Sequence, residues 1–365
     1  MRVLVTGASG FVGSYAVAAL LGEGHEPHIF VRNPEKAARV LGRLRLTPET
    51  PFEGGFEAPE APEAPEAPQN PGLPGLPGLP DLPVHVGDIR DAGAVRAALS
   101  TCDAVLHAAA DMGVTGHAAD LEGANVVGLR NVLGQAVELG LDPVVHVSTV
   151  AVFVPPAEPV ITAHTPLAGP RNGYGRSKVS GELYARGLDG VTIVYPGGVA
   201  GPYQPTVDAL NEGFRAGVAL GWPMVPGGVM ILDVRDLALL LARCMVPGKG
   251  ARRYMIGGNF RTWRQLADLC ERLTGRKARR FPIPAALLRT AGSALDVVKR
   301  VRHVPYPLTR DAADFMLTLV PTDDRPALNE LGVTLRPVED TVSDTLRWLS
   351  AEGHLNARRI GRLAP

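Results

Sequence analysis

The feature that most constrains this chain is its first thirteen residues. Arg2 to Thr6 reads as a short buried strand, and Thr6-Gly7-Ala8-Ser9-Gly10-Phe11-Val12-Gly13 follows it without a break. From Phe11 to about Gly22 the apolar positions Phe11, Val12, Tyr15, Ala16, Ala19 and Leu20 recur at helical spacing. Gly7 permits a tight turn, Gly10 lets the backbone approach a pyrophosphate, and Gly13 lets helix and strand sit close together. The helix start offers unpaired N–H groups and a partial positive charge to phosphates. Three glycines alone are a weak signal; their place between a strand and a helix makes the loop, with Ser9, Phe11 and Val12, a candidate dinucleotide cradle.

Alternation of strands and helices continues along the chain. Pro27 to Val31, Val84 to Val86, Ala104 to His107, Val144 to Ser148 and Val191 to Tyr195 read as strands. Pro34 to Gly42, Ala92 to Leu99, Asn125 to Leu139 and Tyr174 to Arg186 read as helices. Such alternation predicts a parallel sheet covered on both faces, wound by right-handed crossovers. The expected fold is therefore α/β, a Rossmann doubly wound parallel sheet with a smaller C-terminal substrate lobe. Residues 1–200 form the dinucleotide domain, 229–258 return to it, and 201–228 with 259–365 form the lobe. Residues 47–83 interrupt the pattern: EAP occurs four times and GLP three times, which reads as a proline-rich surface insertion. In the lobe, Thr262-Trp263-Arg264-Gln265 is a capping box, and helices are expected at Pro284 to Arg302 and Thr309 to Leu319. The segment Ala285 to Arg302 mixes Leu, Val and Ala with basic residues; it reads as a lid or core-packing helix, with a membrane-surface helix as the alternative.

The second strand decides which dinucleotide fits. NAD sites of this kind carry an acidic residue at its end, for the ribose 2′-hydroxyl. This chain reads Phe30-Val31-Arg32-Asn33, with no carboxylate, and Arg32 can pair with a 2′-phosphate. NADP is favoured over NAD. Asp88 and Ile89 end the third strand, where the carboxylate can receive the adenine amino group or cap a turn. His107, Ala108 and Ala109 end the next; the alanines leave room for the nicotinamide ribose, and His107 reads as a packed residue rather than a catalytic one.

Tyr174-Gly175-Arg176-Ser177-Lys178 sets a phenol and an ammonium on one helix face. A free tyrosine, with a pKa near ~10, is a poor base at neutral pH. A nearby cation favours the phenolate, so Tyr174 beside Lys178 can exchange a proton with an alcohol or developing alkoxide. Thr149, at the end of a strand, can hold the substrate oxygen, and Ser148 is the alternative.

Composition excludes other classes. Lys plus Arg and Asp plus Glu are balanced, 37 against 37, so no basic excess points to nucleic acid. Cys102, Cys244 and Cys270 are scattered, which predicts neither a disulfide framework nor a metal site and fits a reducing cytoplasm. No secretory leader is legible. The longest apolar run, near Leu237 to Val246, is interrupted by Arg243 and falls short of the roughly 20 residues of a bilayer span, so stable membrane insertion is not expected. A small-molecule substrate is the expected partner, with a homodimer the default assembly.

Taken together these segments resemble an extended short-chain dehydrogenase/reductase of the NAD-dependent epimerase/dehydratase superfamily. The resemblance rests on Thr6 to Gly13, Gly87-Asp88, His107 to Ala110, Asn125-Val126-Val127-Gly128, Ser148-Thr149, Tyr174 with Lys178, Tyr195 to Pro202, and Asp233 to Ala238. It implies a catalytic triad of Thr149, Tyr174 and Lys178, with Lys178 also holding the nicotinamide ribose. It further implies that Pro196, Gly197 and Val199 border the nicotinamide and that Asn125 is structural or close to the cofactor. Sugar-nucleotide members usually carry Asn where this chain has Gly198. The version here is more similar to the dihydroflavonol reductase-like and 3β-hydroxysteroid dehydrogenase-like branches, which act on ketones or secondary alcohols of apolar compounds. The implied activity is hydride transfer between nicotinamide and such a substrate. The alternatives are a sugar epimerase or dehydratase and a cofactor-sensing regulatory protein.

Overall fold

A computed structural model describes residues 1–44, 82–111, 121–169, 173–301 and 309–364. Nearly all of the proline-rich insertion read at 47–83 lies outside the described residues, as does the side chain of Tyr174. The strands are β1 (Arg2–Thr6), β2 (Glu26–Val31), β3 (Val84–Val86), β4 (Ala104–His107), β5 (Val144–Val147), β6 (Val191–Pro196), β7 (Val199–Ala200), β8 (Trp222–Met224), β9 (Gly228–Asp233), β10 (Arg252–Ile256), β11 (Asn259–Thr262) and β12 (Arg280–Pro282). The helices are α1 (Phe11–Gly22), α2 (Pro34–Gly42), α3 (Ala92–Leu99), α4 (Leu129–Glu138), α5 (Gly173–Arg186), α6 (Ala209–Ala219), α7 (Val234–Arg243), α8 (Trp263–Thr274), α9 (Ala285–Val301), α10 (Arg310–Thr318), α11 (Arg325–Leu331), α12 (Val338–Ala351) and α13 (Ala357–Ile360).

Among the described residues, seven parallel strands form the main sheet in the order β10-β6-β5-β4-β1-β2-β3. The chain winds outward from β1 through β2 and β3, then restarts on the other side with β4. The reversal opens a crevice above the C-terminal ends of β1 and β4, where open α/β sheets bind their ligands. Both faces are covered. Helices α1, α2 and α7 join one core cluster, and α3, α4 and α5 join the other. This explains why β1 and β4 are continuous apolar runs: Val3, Leu4, Val5, Val105 and Leu106 have no solvent exposure. Helix α1 has no polar stripe either, because Gly13 to Leu20 are all buried between the sheet and α7.

Beyond β6, a three-stranded sheet β11-β9-β7 and the pair β12-β8 support a second core of Trp222, Trp263 and Trp348 with residues of α6, α8 and α12. The capping box at Thr262 and Gln265 forms as the sequence predicts. Strand β10 rejoins the main sheet beside β6. A buried polar cluster ties the two cores together. Asp233 caps α7, accepting from the Arg235 backbone at 2.8 Å. The Arg235 guanidinium reaches Asp233 and Asp344 of α12, each at 2.8 Å, and Thr341 donates to Asp233 at 2.9 Å.

Removing one partner from such a cluster strands buried charge. Arg235→Met leaves Asp233 and Asp344 without it, and the expected loss of stability is about 3–5 kcal/mol. Urea unfolding reads this directly; a midpoint equal to wild type would contradict the role given to the cluster.

Candidate active site

The first wall of the crevice is the glycine loop. Gly7 has φ +81°, and a Cβ there would lie 2.7 Å from the Ala109 nitrogen; a Cβ on Gly13 would lie 2.2 Å from the Gly7 carbonyl oxygen. The strand, the helix and the end of β4 therefore meet through bare backbone. Gly10 caps α1 without a side-chain hydrogen bond, so the first N–H groups of α1 point into the crevice with no residue of their own to satisfy them. An anion suits that position, and the pyrophosphate of a dinucleotide fits the cradle. Ser9, Phe11 and Val12 lie at this same turn.

At the outer end of the crevice stand Arg32 and Asp88. The Arg32 side chain is 77% exposed and lies 4.0 Å from Asp88. Asp88 is held mainly by Arg90, which donates to its two oxygens at 3.0 and 2.6 Å and keeps the carboxyl below its ordinary range. Two guanidinium groups thus surround one carboxylate where the second and third strands end. Ile89 packs against the site a Gly128 side chain would take, and its carbonyl accepts from Asn131 at 2.9 Å.

Toward the nicotinamide end, His107 is buried and pairs its Nδ1 with the Thr6 hydroxyl at 2.7 Å. Its ring stacks on His146 of the adjacent strand at 5.4 Å. Burial and the nearby Lys178 charge lower His107 to about 3 and hold His146 well below its ordinary value, so both rings are neutral. His107 is therefore a packed residue in this structure. Ala108 and Ala109 are half-buried beside it and leave the crevice floor open.

Asn125 lies on a π-turn, Gly123–Gly128, that precedes α4. Periodicity places an ordinary helix start here, and the extra residue per turn carries no local signature. Its cause is tertiary. The Asn125 amide accepts from the Asp111 nitrogen at 2.9 Å and donates to the Asp111 carbonyl at 2.8 Å and to Ser177 at 3.1 Å. Asn125 thereby clamps the exit of β4 to α5.

Helix α5 carries Tyr174, Lys178, Glu182 and Arg186 at successive i, i+4 positions, which share one face. Lys178 is 7% exposed, and its charge lowers both buried histidines. Burial lowers the amine to about 8, with Glu182 opposing the shift. Glu182 was not a sequence-predicted site residue, although the continued four-residue spacing was there to be read. Its buried carboxylate accepts from Ser148 at 2.7 Å, Tyr195 at 2.5 Å and Arg186 at 2.7 Å. This separates the two hydroxyl candidates. Ser148 is turned inward to Glu182, whereas half-buried Thr149 accepts from the Ala151 nitrogen at 3.2 Å and, among the described residues, donates its own proton to none.

Pro196 ends β6, a Cβ on Gly197 would lie 2.1 Å from the Gly257 carbonyl, and Val199 pairs with Leu232 of β9. A Cβ on Gly198 would lie 2.6 Å from the Met230 carbonyl and 3.0 Å from Leu210. Away from the crevice, His28, His85 and Cys102 bring their ligand atoms within 4.8 Å of one another. The two imidazoles face each other nitrogen to nitrogen at 3.2 Å, with centroids 5.5 Å apart and planes 21° from parallel. At that separation an N–H of one imidazole donates to the lone pair of the other.

The buried amine makes a signed prediction. A lysine whose folded pKa is about 8, against 10.5 ordinarily, destabilises the folded state by roughly 3 kcal/mol below pH 8. That cost fades as pH rises through the interval between the two values. Lys178→Met is therefore expected to be more stable than wild type near neutral pH, and the difference to shrink toward pH ~10. Urea unfolding of the two proteins at both pH values checks this; a gap that widens with pH would contradict it.

Comparison with known proteins agrees with this geometry. The family described as NAD dependent epimerase/dehydratase matches residues 3–220. The chain is 26% identical to sterol demethylase protein B of Methylococcus capsulatus, over 97% of this chain and 99% of that protein. It is 26% identical to a 4-hydroxy-2-methyl-3-oxo-4-farnesyl-3,4-dihydroquinoline-1-oxide ketoreductase of Stigmatella aurantiaca, over 97% and 98%. Among solved structures, UDP-glucose 4-epimerase of Bifidobacterium longum with NAD+ and UDP superposes with a TM-score of 0.66 at 16% identity, over 97% and 99% of the two chains. A parallel sheet with a glycine cradle at its switch point, matched to that family over more than half its length, makes this chain an enzyme of the NAD-dependent epimerase/dehydratase family, within the extended short-chain dehydrogenase/reductase fold.

Proposed function

We propose that this enzyme is an NADP(H)-dependent ketone reductase or secondary-alcohol dehydrogenase acting on a small apolar substrate. The observation that carries the reading is the tight fit at Gly198. Sugar-nucleotide relatives usually place an asparagine there, and here the Met230 carbonyl and the Leu210 side chain occupy the space its Cβ would need. With glycine at this position the chain offers no side-chain amide there to a nucleotide sugar. A site lined in this way favours a substrate with few polar groups beyond the reacting oxygen. Two relatives named for a sterol and a farnesyl-quinoline substrate support the same direction.

In this reading the glycine cradle and α1 hold the pyrophosphate, and Arg32 pairs with the 2′-phosphate at the end of β2. Bound nicotinamide supplies or accepts the hydride. The chain's own residues do the rest. Lys178 donates to the nicotinamide ribose hydroxyls and, as a cation one helical turn from Tyr174, favours its phenolate. Tyr174 gives a proton to the developing alkoxide in one direction and takes it from the alcohol in the other. Thr149 donates its hydroxyl hydrogen to the same oxygen and orients it. Pro196, Gly197 and Val199 border the nicotinamide. The three buried free cysteines, Cys102, Cys244 and Cys270, fit a reducing cytoplasm.

Stoichiometric NADPH oxidation with a panel of apolar ketones tests the assignment. Tyr174→Phe is expected to lower kcat by about 10²–10⁴ with dinucleotide binding retained. Arg32→Ala is expected to weaken NADPH binding about tenfold and leave NADH binding unchanged. Purified enzyme carrying tightly held NAD, with sugar-nucleotide turnover and no net oxidation, would replace this reading with the epimerase or dehydratase one. Cellular function untouched by Tyr174→Phe would point to a regulatory role.

A further inference from the structure

Helix α9 is built the wrong way round for a helix that meets only water. Among the described residues its charged side chains turn toward α10: Arg289 pairs with Asp314 at 2.7 Å, and Asp296 accepts from the Arg310 backbone at 2.9 Å. Leu288 is buried on that side with Ala313 and Leu317. The outward face is Leu287, Thr290, Ala294, Val297 and Val298, spaced over three turns with no charge among them. Leu287 and Val297 are 60% and 59% exposed. An ordinary surface helix places charged and polar residues on that face. The apolar surface continues into the strand before α9. Phe281 is exposed, and a Cβ on Gly221 would lie 2.4 Å from its ring, which brings exposed Leu220 alongside.

A band of positive charge borders this surface. The stretch from Gly275 to Phe281 holds Arg276, Lys277 and Arg279, all exposed. The C-terminal turns add exposed Arg358, Arg359 and Arg362. The two groups are neighbours: a Cβ on Gly275 would meet the Arg362 guanidinium at 2.4 Å, and one on Gly361 would meet Arg276 at 3.1 Å. None of these six forms an ion pair among the described residues. Two acids of α8, Asp268 and Glu271, are engaged by Arg280 at 2.6 and 3.0 Å. In a chain whose total formal charge is zero, this is a segregated positive rim around an uncharged apolar face.

We infer that this face docks on an anionic lipid bilayer, with the outward side of α9 and Phe281 entering the headgroup boundary and the arginine rim resting on lipid phosphates. The charge complementarity selects the occupant. A second copy of the chain would bring two positive rims together, whereas an anionic bilayer answers both the charge and the apolar surface. No helix among the described residues is long and apolar enough to cross a membrane, so the contact is peripheral. The inference does not rest on the catalytic reading, because docking is measured without turnover.

The test is co-sedimentation of the full-length protein with vesicles of phosphatidylcholine alone and of phosphatidylcholine with phosphatidylglycerol. Wild type is expected to pellet with the anionic vesicles only, and less so as salt is raised. Combined Arg276→Glu, Lys277→Glu and Arg279→Glu should weaken partitioning on the order of a hundredfold. Leu287→Asp with Val297→Asp should abolish the part that survives high salt. NADP binding by calorimetry, unchanged in both variants, shows that they are folded; the wild-type lipid and salt dependence stands as a second arm should either variant misfold. The inference is overturned if wild type stays in the supernatant, if it pellets equally with neutral vesicles, or if the apolar variant instead converts a dimer to a monomer in ultracentrifugation.

Discussion

The organising constraint of this enzyme is an absence of side-chain volume where three backbones meet. Gly7 at the end of β1, Gly13 in α1 and the Ala108–Ala109 backbone after β4 approach so closely that no Cβ fits at either glycine. That contact fixes the angle at which α1 leaves the sheet and points its unpaired N–H groups over the switch point. The rest of the crevice is registered against it. Through Thr6, β1 holds His107, His107 stacks on His146, and the buried Lys178 of α5 disfavours a proton on either ring.

A second layer, less visible than the residues at the crevice, holds the reactive group in place. The Glu182 carboxylate collects three donors, from Ser148 just after β5, from β6 and from α5, and so fixes the helix face that presents Lys178 and, one turn earlier, Tyr174. Asn125 performs the same service from the opposite side by joining the β4 exit to Ser177. The cost of this rigidity is an amine forced into a buried site, a local instability of the kind that reactive groups commonly carry.

Much of this was legible in the amino-acid order because the physics is local. Buried parallel strands must be continuous apolar runs, so β1 and β4 can be read to the residue. A capping box needs only four residues, and Tyr174 and Lys178 announce a shared face by their spacing. What could not be read depends on distant partners. The π-turn at Asn125 exists because of Asp111 and Ser177, which no periodicity reports. Strand β7 is two residues long and is defined only by its pairing with β9. The choice between Ser148 and Thr149 turns on where Glu182 lies. The outward apolar face of α9 is a matter of which side α10 covers, and the sequence pattern alone favoured a packed helix.

The central claim is that a nicotinamide held by the N-terminal loop exchanges hydride with a carbonyl carbon beside Tyr174. It is tested most directly with NADPH deuterated at the transferred position of C4 and an accepted ketone, the product being read by mass spectrometry. The account predicts one deuterium on the carbinol carbon, in full stoichiometry with dinucleotide oxidised, and the same labelled product formed about 10²–10⁴ times more slowly by Tyr174→Phe. Product without label, or label that stays on the nucleotide while a sugar substrate is isomerised, would contradict it.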